Sequence, residues 1–254
     1  MKHLIIVGAQ RSGSTYLYHV LNNHPQVVMA QPVRPEPKFF LNDQLVARGK
    51  TYYERTYFRA WGEETRYFGE KSTSYIESVE AAQRIHHFYP DVRILMILRD
   101  SVMRAYSNYR FSVANQLEQL TFKEALEAEP ERIKKAKFST SVNPYAYRTR
   151  GHYIDYVEAY LNIFNASQLE ILIFEEFVGK LASVQALYRW LGIEDSFVPE
   201  SLGQVFNPTV IEKEEHNEVF KDLALGYQDS IGRLEGYLGR RIDVWRDHHG
   251  GIMR

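Results

Sequence analysis

The chain has 254 residues, with 31 Lys and Arg against 32 Asp and Glu, giving a net charge of −1. Its 44% hydrophobic and 14% aromatic content is enough to fill a core, which excludes a mainly disordered chain, and the balanced charge argues against a general nucleic-acid binder. Cysteine is absent, which removes disulfides, thiolate catalysis, Fe–S clusters and cysteine zinc sites. The longest apolar runs, such as Leu4 to Ala9 and Ile94 to Leu98, fall far short of the ~18 residues that a spanning helix needs. The run behind Met1-Lys2-His3 ends at Gln10-Arg11, too soon for a signal peptide. A soluble, cytoplasmic protein is expected.

Short apolar runs alternate with longer helical patterns. In chain order the sequence predicts a strand at Leu4–Val7, a helix at Thr15–Asn22 and a strand at Val27–Ala30. A helix at Val79–Tyr89 leads to a strand at Arg93–Leu98 and a helix at Ser101–Ser112. Helices at Phe122–Ala128 and Tyr153–Phe164 precede a strand at Leu169–Phe174 and a helix at Leu181–Leu191. Val219–Ile242 reads as a final helix. The densest charge run, Glu127 to Lys137, reads as a solvated helix face. Continuous apolar strands alternating with helices imply an α/β fold with a doubly wound parallel sheet. No linker is evident, so residues 1–254 are expected to form one domain.

The first strand leads into Gly8-Ala9-Gln10-Arg11-Ser12-Gly13-Ser14-Thr15 and then a helix. Gly8 and Gly13 have the spacing of the two P-loop glycines, and the loop amides with the helix N-terminus would cradle an anion. Ser14, however, stands where a nucleotide triphosphatase carries its Lys, so a principal contact to a γ-phosphate is missing. Arg11 lies inside the loop instead, beside Ser12, Ser14 and Thr15. A guanidinium with hydroxyl and amide donors suits a single phosphate and a charged leaving oxygen.

This loop resembles the 5′-phosphosulfate-binding loop of sulfotransferases that use 3′-phosphoadenosine 5′-phosphosulfate (PAPS), in the branch that includes the heparan sulfate enzymes. The resemblance implies a three-layer P-loop-like fold, a central parallel sheet flanked by helices. It also implies that Arg11, Ser12, Gly13, Ser14 and Thr15 hold the 5′-phosphate. A second match runs from Arg93 through Arg99-Asp100 to Ser107, and by resemblance Arg99 and Ser107 bind the 3′-phosphate, with Arg104 a second candidate cation. Asn23-His24-Pro25 also recurs in the family, where it ends a helix before the next strand.

Phe68-Gly69-Glu70-Lys71-Ser72-Thr73 resembles the family's Glu-Lys-(Ser/Thr) segment and makes Glu70 the expected catalytic base, with Lys71 beside it. Pro35-Glu36-Pro37-Lys38-Phe39-Phe40 resembles another family segment, with Pro35 where its Lys is expected. Glu36 is the rival base, and Phe39-Phe40 read as core. Arg150, in Arg148-Thr149-Arg150-Gly151-His152-Tyr153, is a further candidate phosphate contact, and His152 a further candidate base. Asn207 to Asn217, with Lys213, occupies the place of a cofactor-covering loop, but no residue is assigned in it.

The expected reaction is direct in-line transfer of a sulfuryl group from PAPS to an acceptor hydroxyl or amine, releasing adenosine 3′,5′-bisphosphate. The expected partner is a small-molecule, glycan or other hydroxyl-bearing acceptor, with no metal and no nucleic acid. The alternatives are a P-loop kinase of a small molecule, with Asp100 helping to hold Mg²⁺, and a non-catalytic nucleotide-binding protein.

Overall fold

The computed structural model describes residues 1–135, 144–204, 206 and 217–253. Among them the elements run β1 (Lys2–Gly8), α1 (Ser14–Asn23), β2 (Val27–Met29), α2 (Asp43–Val46), α3 (Gly49–Tyr57), β3 (Tyr67–Lys71), α4 (Val79–Phe88) and β4 (Arg93–Leu98). They continue with α5 (Ser101–Ala114), α6 (Phe122–Lys135), α7 (Tyr153–Leu161), β5 (Leu169–Ile173), α8 (Phe174–Phe177), α9 (Leu181–Leu191), α10 (Asn217–Leu238) and α11 (Asp243–Met253). No helix among the described residues is long and apolar enough to cross a membrane. Segment 207–216, the place of the expected cofactor-covering loop, lies outside the described residues.

The chain forms two compact units, one of Met1–Leu98 with Ala159–Phe206 and one of Arg99–Glu158 with Asn207–Arg254. The first unit holds the sheet, whose order is β2-β3-β1-β4-β5 with every neighbour parallel. Leu4, Ile6, Leu95 and Ile97 turn to one face, where α1 and α9 cover them through Leu17, Leu21, Val184 and Leu187. The opposite face carries Glu70, reached by Tyr53 of α3. Burial on both faces is why these strands read as continuous apolar runs.

β3 is the strand that the sequence does not reveal. Tyr67-Phe68-Gly69-Glu70-Lys71 has no apolar run, yet all five residues are buried. Its Gly69 is a close-packing position: a Cβ there would lie 2.2 Å from Met29 Sδ and 2.9 Å from Leu4 Cδ1. Its two charged residues are tolerated because other groups of the fold supply their partners, which no local pattern can announce. α3 and α11 also escape the periodicity; α3 buries only Tyr53 completely, and α11 contains Gly250 and Gly251.

The second unit is helical among its described residues. Asp100 caps α5, its Oδ1 accepting from Met103 N at 3.0 Å, and its Oδ2 pairs with His249 Nε2 of α11 at 2.8 Å. α6 runs past Pro130, beyond the expected end at Ala128. The charge run along it is not wholly solvated. Glu129 is buried and accepts from Arg148 N at 2.6 Å, Thr149 N at 2.8 Å and Thr149 Oγ1 at 2.7 Å. It thereby fixes the turn that carries Arg150.

Candidate active site

In the first unit, β1 leaves towards β2 on one side and β4 leaves towards β5 on the other. Their carboxyl ends therefore flank a topological switch point, the place where open parallel sheets bind ligands. The loop from Gly8 to Ser14 emerges there. Gly13 adopts φ 87° and precedes α1 with no side-chain cap hydrogen bond, so the first-turn amides of α1 lack the usual side-chain acceptor. Such amides, at the positive end of the helix dipole, suit an anion. Arg11 itself sits at φ 64°, a left-handed conformation that costs a non-glycine residue about 1–2 kcal/mol. Arg11, Gly13 and Thr15 are half-buried, whereas Ser12 and Ser14 are buried.

Gly13 is required for two reasons, its backbone and its neighbour. A Cβ would stand 2.5 Å from the Phe174 ring. Gly13→Ala is expected to cost about 2 kcal/mol through the left-handed backbone and the displaced ring, lowering the thermal midpoint by about 4–8 °C in a circular-dichroism melt. An unchanged midpoint would show that the turn relaxes freely.

Two carboxylates lie at the carboxyl end of β3, in different surroundings. Glu36 pairs with Lys71 Nζ and accepts from Thr73 N at 2.9 Å and Thr73 Oγ1 at 3.0 Å. Its side chain keeps 15% exposure. Glu70 has none. Tyr53 Oη donates to its Oε2 and Ser72 Oγ to its Oε1 at 2.6 Å. Burial pushes the Glu70 carboxyl above the usual carboxylate range, a rise opposed by hydrogen bonds from Ser72, Tyr53 and Tyr75. The expected base therefore has no open edge for an acceptor proton, while its rival has. Sequence reasoning missed Tyr53 and Thr73. Thr73 directly follows the Glu70-Lys71-Ser72 motif and could have been found beside it; Tyr53 carries no local signal.

Phe39 and Phe40 are core, as expected, packed with Tyr53 and Phe88. His24 is structural: its ring bonds Glu194 O at 2.8 Å and accepts from Gln26 N at 3.1 Å.

The second unit holds the other predicted residues. Arg99 follows directly on β4, is half-buried, and its carbonyl accepts from Tyr153 Oη at 2.8 Å. Ser107 lies within α5 and is buried. Arg104 is fully buried and donates to Tyr147 O, so it braces the 144–151 segment rather than meeting solvent. Arg150 is also buried, behind the turn held by Glu129, and Ser101 Oγ donates to Gly151 O at 2.9 Å. His152 is half-buried against the Tyr227 ring. Asp100 caps α5 and pairs with His249.

Strand, glycine turn and uncapped helix, set at the switch point of a parallel sheet, define a P-loop-like protein whose turn lacks the Walker Lys. Residues 1–233 match the family model of the sulfotransferase domain, and the chain belongs to that family. A sulfotransferase from Alicyclobacillus acidocaldarius is similar in structure, with 28% identity and a TM-score of 0.79 over 97% of this chain and 99% of that one. Mouse SULT7A1, solved in complex with PAP, shares the fold at a TM-score of 0.51 and 14% identity, over 96% of this chain and 87% of that one.

Among curated relatives, the bifunctional heparan sulfate N-deacetylase/N-sulfotransferase 1 of Xenopus laevis is 28% identical over 178 residues, covering 66% of this chain. The human heparan sulfate glucosamine 3-O-sulfotransferase 6 is 35% identical over 106 residues, covering 41%. This chain spans only 19% of the first relative's length and 29% of the second's.

Proposed function

We propose that the sulfuryl donor is PAPS and that the acceptor is a hydroxyl or amine of a glycan. The loop amides with Arg11, Ser12, Gly13, Ser14 and Thr15 would hold the 5′-phosphosulfate, and Arg99 with Ser107 the 3′-phosphate. The acceptor oxygen or nitrogen forms a bond to sulfur as the bond from sulfur to the bridging phosphate oxygen breaks. The departing oxygen leaves on adenosine 3′,5′-bisphosphate, its charge stabilised by Arg11 and the loop amides. Glu36 takes the acceptor proton.

The observation that carries this reading is the uncapped α1 terminus behind a strained Arg11, in a loop with no Walker Lys. That donor set fits one phosphate with a charged leaving oxygen better than a triphosphate with Mg²⁺. Placing the base on Glu36 rests on its 15% exposure against none for Glu70. The glycan class is supported by the heparan sulfate relatives.

Calorimetric titration with adenosine 3′,5′-bisphosphate, AMP and ATP-Mg²⁺ tests the donor. The bisphosphate is expected to bind at least about tenfold more tightly than AMP, the ~1.4 kcal/mol that one further charge-assisted phosphate contact supplies. Preference for ATP-Mg²⁺ would overturn PAPS as the donor. Transfer of labelled sulfuryl from PAPS to chemically desulfated heparin then tests the acceptor class.

A further inference from the structure

The fully buried carboxylate on β3 has no open edge for a reacting group, yet three hydroxyls converge on it. Tyr53 Oη and Ser72 Oγ donate to its two oxygens, and Tyr75 adds a third interaction. A carboxylate that only accepts matches this ring of hydroxyl donors. The relay continues outward. While donating its hydrogen bond to Glu70, Ser72 Oγ accepts from Lys38 N at 2.9 Å. Tyr75 Oη accepts from Phe40 N at 3.1 Å. Both amides belong to the segment that carries Glu36, and Lys38 is held at φ 48°, a left-handed conformation that the loop alone would not favour.

Glu36 is thus fixed from two directions. Its carboxylate is held by Lys71 and Thr73, and its backbone loop is tied through Ser72 and Tyr75 to Glu70. Fixing a reacting group to within a fraction of an ångström is where an orienting residue far from the chemistry has its effect.

We infer that Glu70 is a positioning residue: through Ser72 and Tyr75 it holds the 34–40 loop in the conformation that presents Glu36 to the acceptor. The inference rests on the reading of Glu36 as the proton acceptor. It accounts for a buried ionisable group that the transfer step itself does not use, since replacing it would leave three buried hydroxyls to find new partners.

The test compares E70Q, S72A and E36Q by steady-state kinetics with PAPS and desulfated heparin, with bisphosphate titrations and pH profiles of kcat/KM. The groups facing Glu70 are Tyr53 and Tyr57 of α3, Tyr75, Tyr89, Ser72 and Glu36; Lys71 faces Glu36. E70Q is expected to lower kcat by about 10- to 100-fold, the scale of a misplaced reacting group. KM for PAPS and the bisphosphate Kd should stay within about twofold, and the acidic limb of the profile should persist.

Loss of that limb in E70Q would make Glu70 the base and overturn the inference. A wild-type kcat in E70Q would reduce Glu70 to core filling and overturn it equally. If E70Q does not fold, S72A cuts the same relay with Glu70 in place: a fall in kcat at constant KM supports the inference and an unchanged kcat overturns it. Persistence of the limb in E36Q would instead remove the Glu36 reading, whatever E70Q does.

Discussion

Glu36→Gln is expected to reduce kcat by about 10²–10⁴, the usual contribution of a positioned general base. The amide keeps the size of the side chain and can still accept from Thr73 N, but it cannot take a proton. Because Lys71 is buried against Glu36, the substitution also strands a cation and is expected to cost about 1–3 kcal/mol of stability. Rates are therefore to be compared well below the thermal midpoint of the variant. Bisphosphate affinity should change by no more than about threefold, since the loss belongs to the transfer step and not to donor binding. Wild-type turnover would remove Glu36 from the chemistry.

Arg11→Ala is expected to lower transfer by about 10²–10³ with the fold intact, the magnitude of losing one electrostatic contact to developing charge. Ala at φ 64° carries the same backbone cost as Arg, so the thermal midpoint should hardly move. The loss should appear more in kcat than in the Kd for the bisphosphate, because charge on the bridging oxygen grows only as the bond to sulfur breaks. Arg11→Lys should fall between the two: it keeps a cation but loses the planar fork. Full activity in Arg11→Ala would assign the leaving oxygen to the loop amides alone.

The glycine turn between β1 and α1 is legible from sequence because its pattern is local. Gly8, Arg11, Gly13 and the hydroxyls lie within eight residues, and a strand–turn–helix junction needs nothing distant to set its backbone. The same holds for β4, found at Arg93–Leu98 as expected. β3 was illegible for the opposite reason. Gly69 fits only because Met29 and Leu4 crowd it, and Glu70 is bearable only because Tyr53, Ser72 and Tyr75 surround it.

The surroundings of the two glutamates divide along that line. By itself the sequence determined the family, the parallel α/β fold and the glycine turn before α1, since each is written in contiguous residues. It also marked Glu70, Glu36 and His152 as candidate bases. Only the tertiary structure decided between the surroundings of the two glutamates, burying one completely and leaving the other an open edge. Burial is set by segments far apart in the chain: Tyr53 reaches Glu70 across 17 residues and Lys71 reaches Glu36 across 35. A carboxylate's availability depends on which of those distant groups fills the space around it, and that is fixed only when the sheet and its covering helices pack.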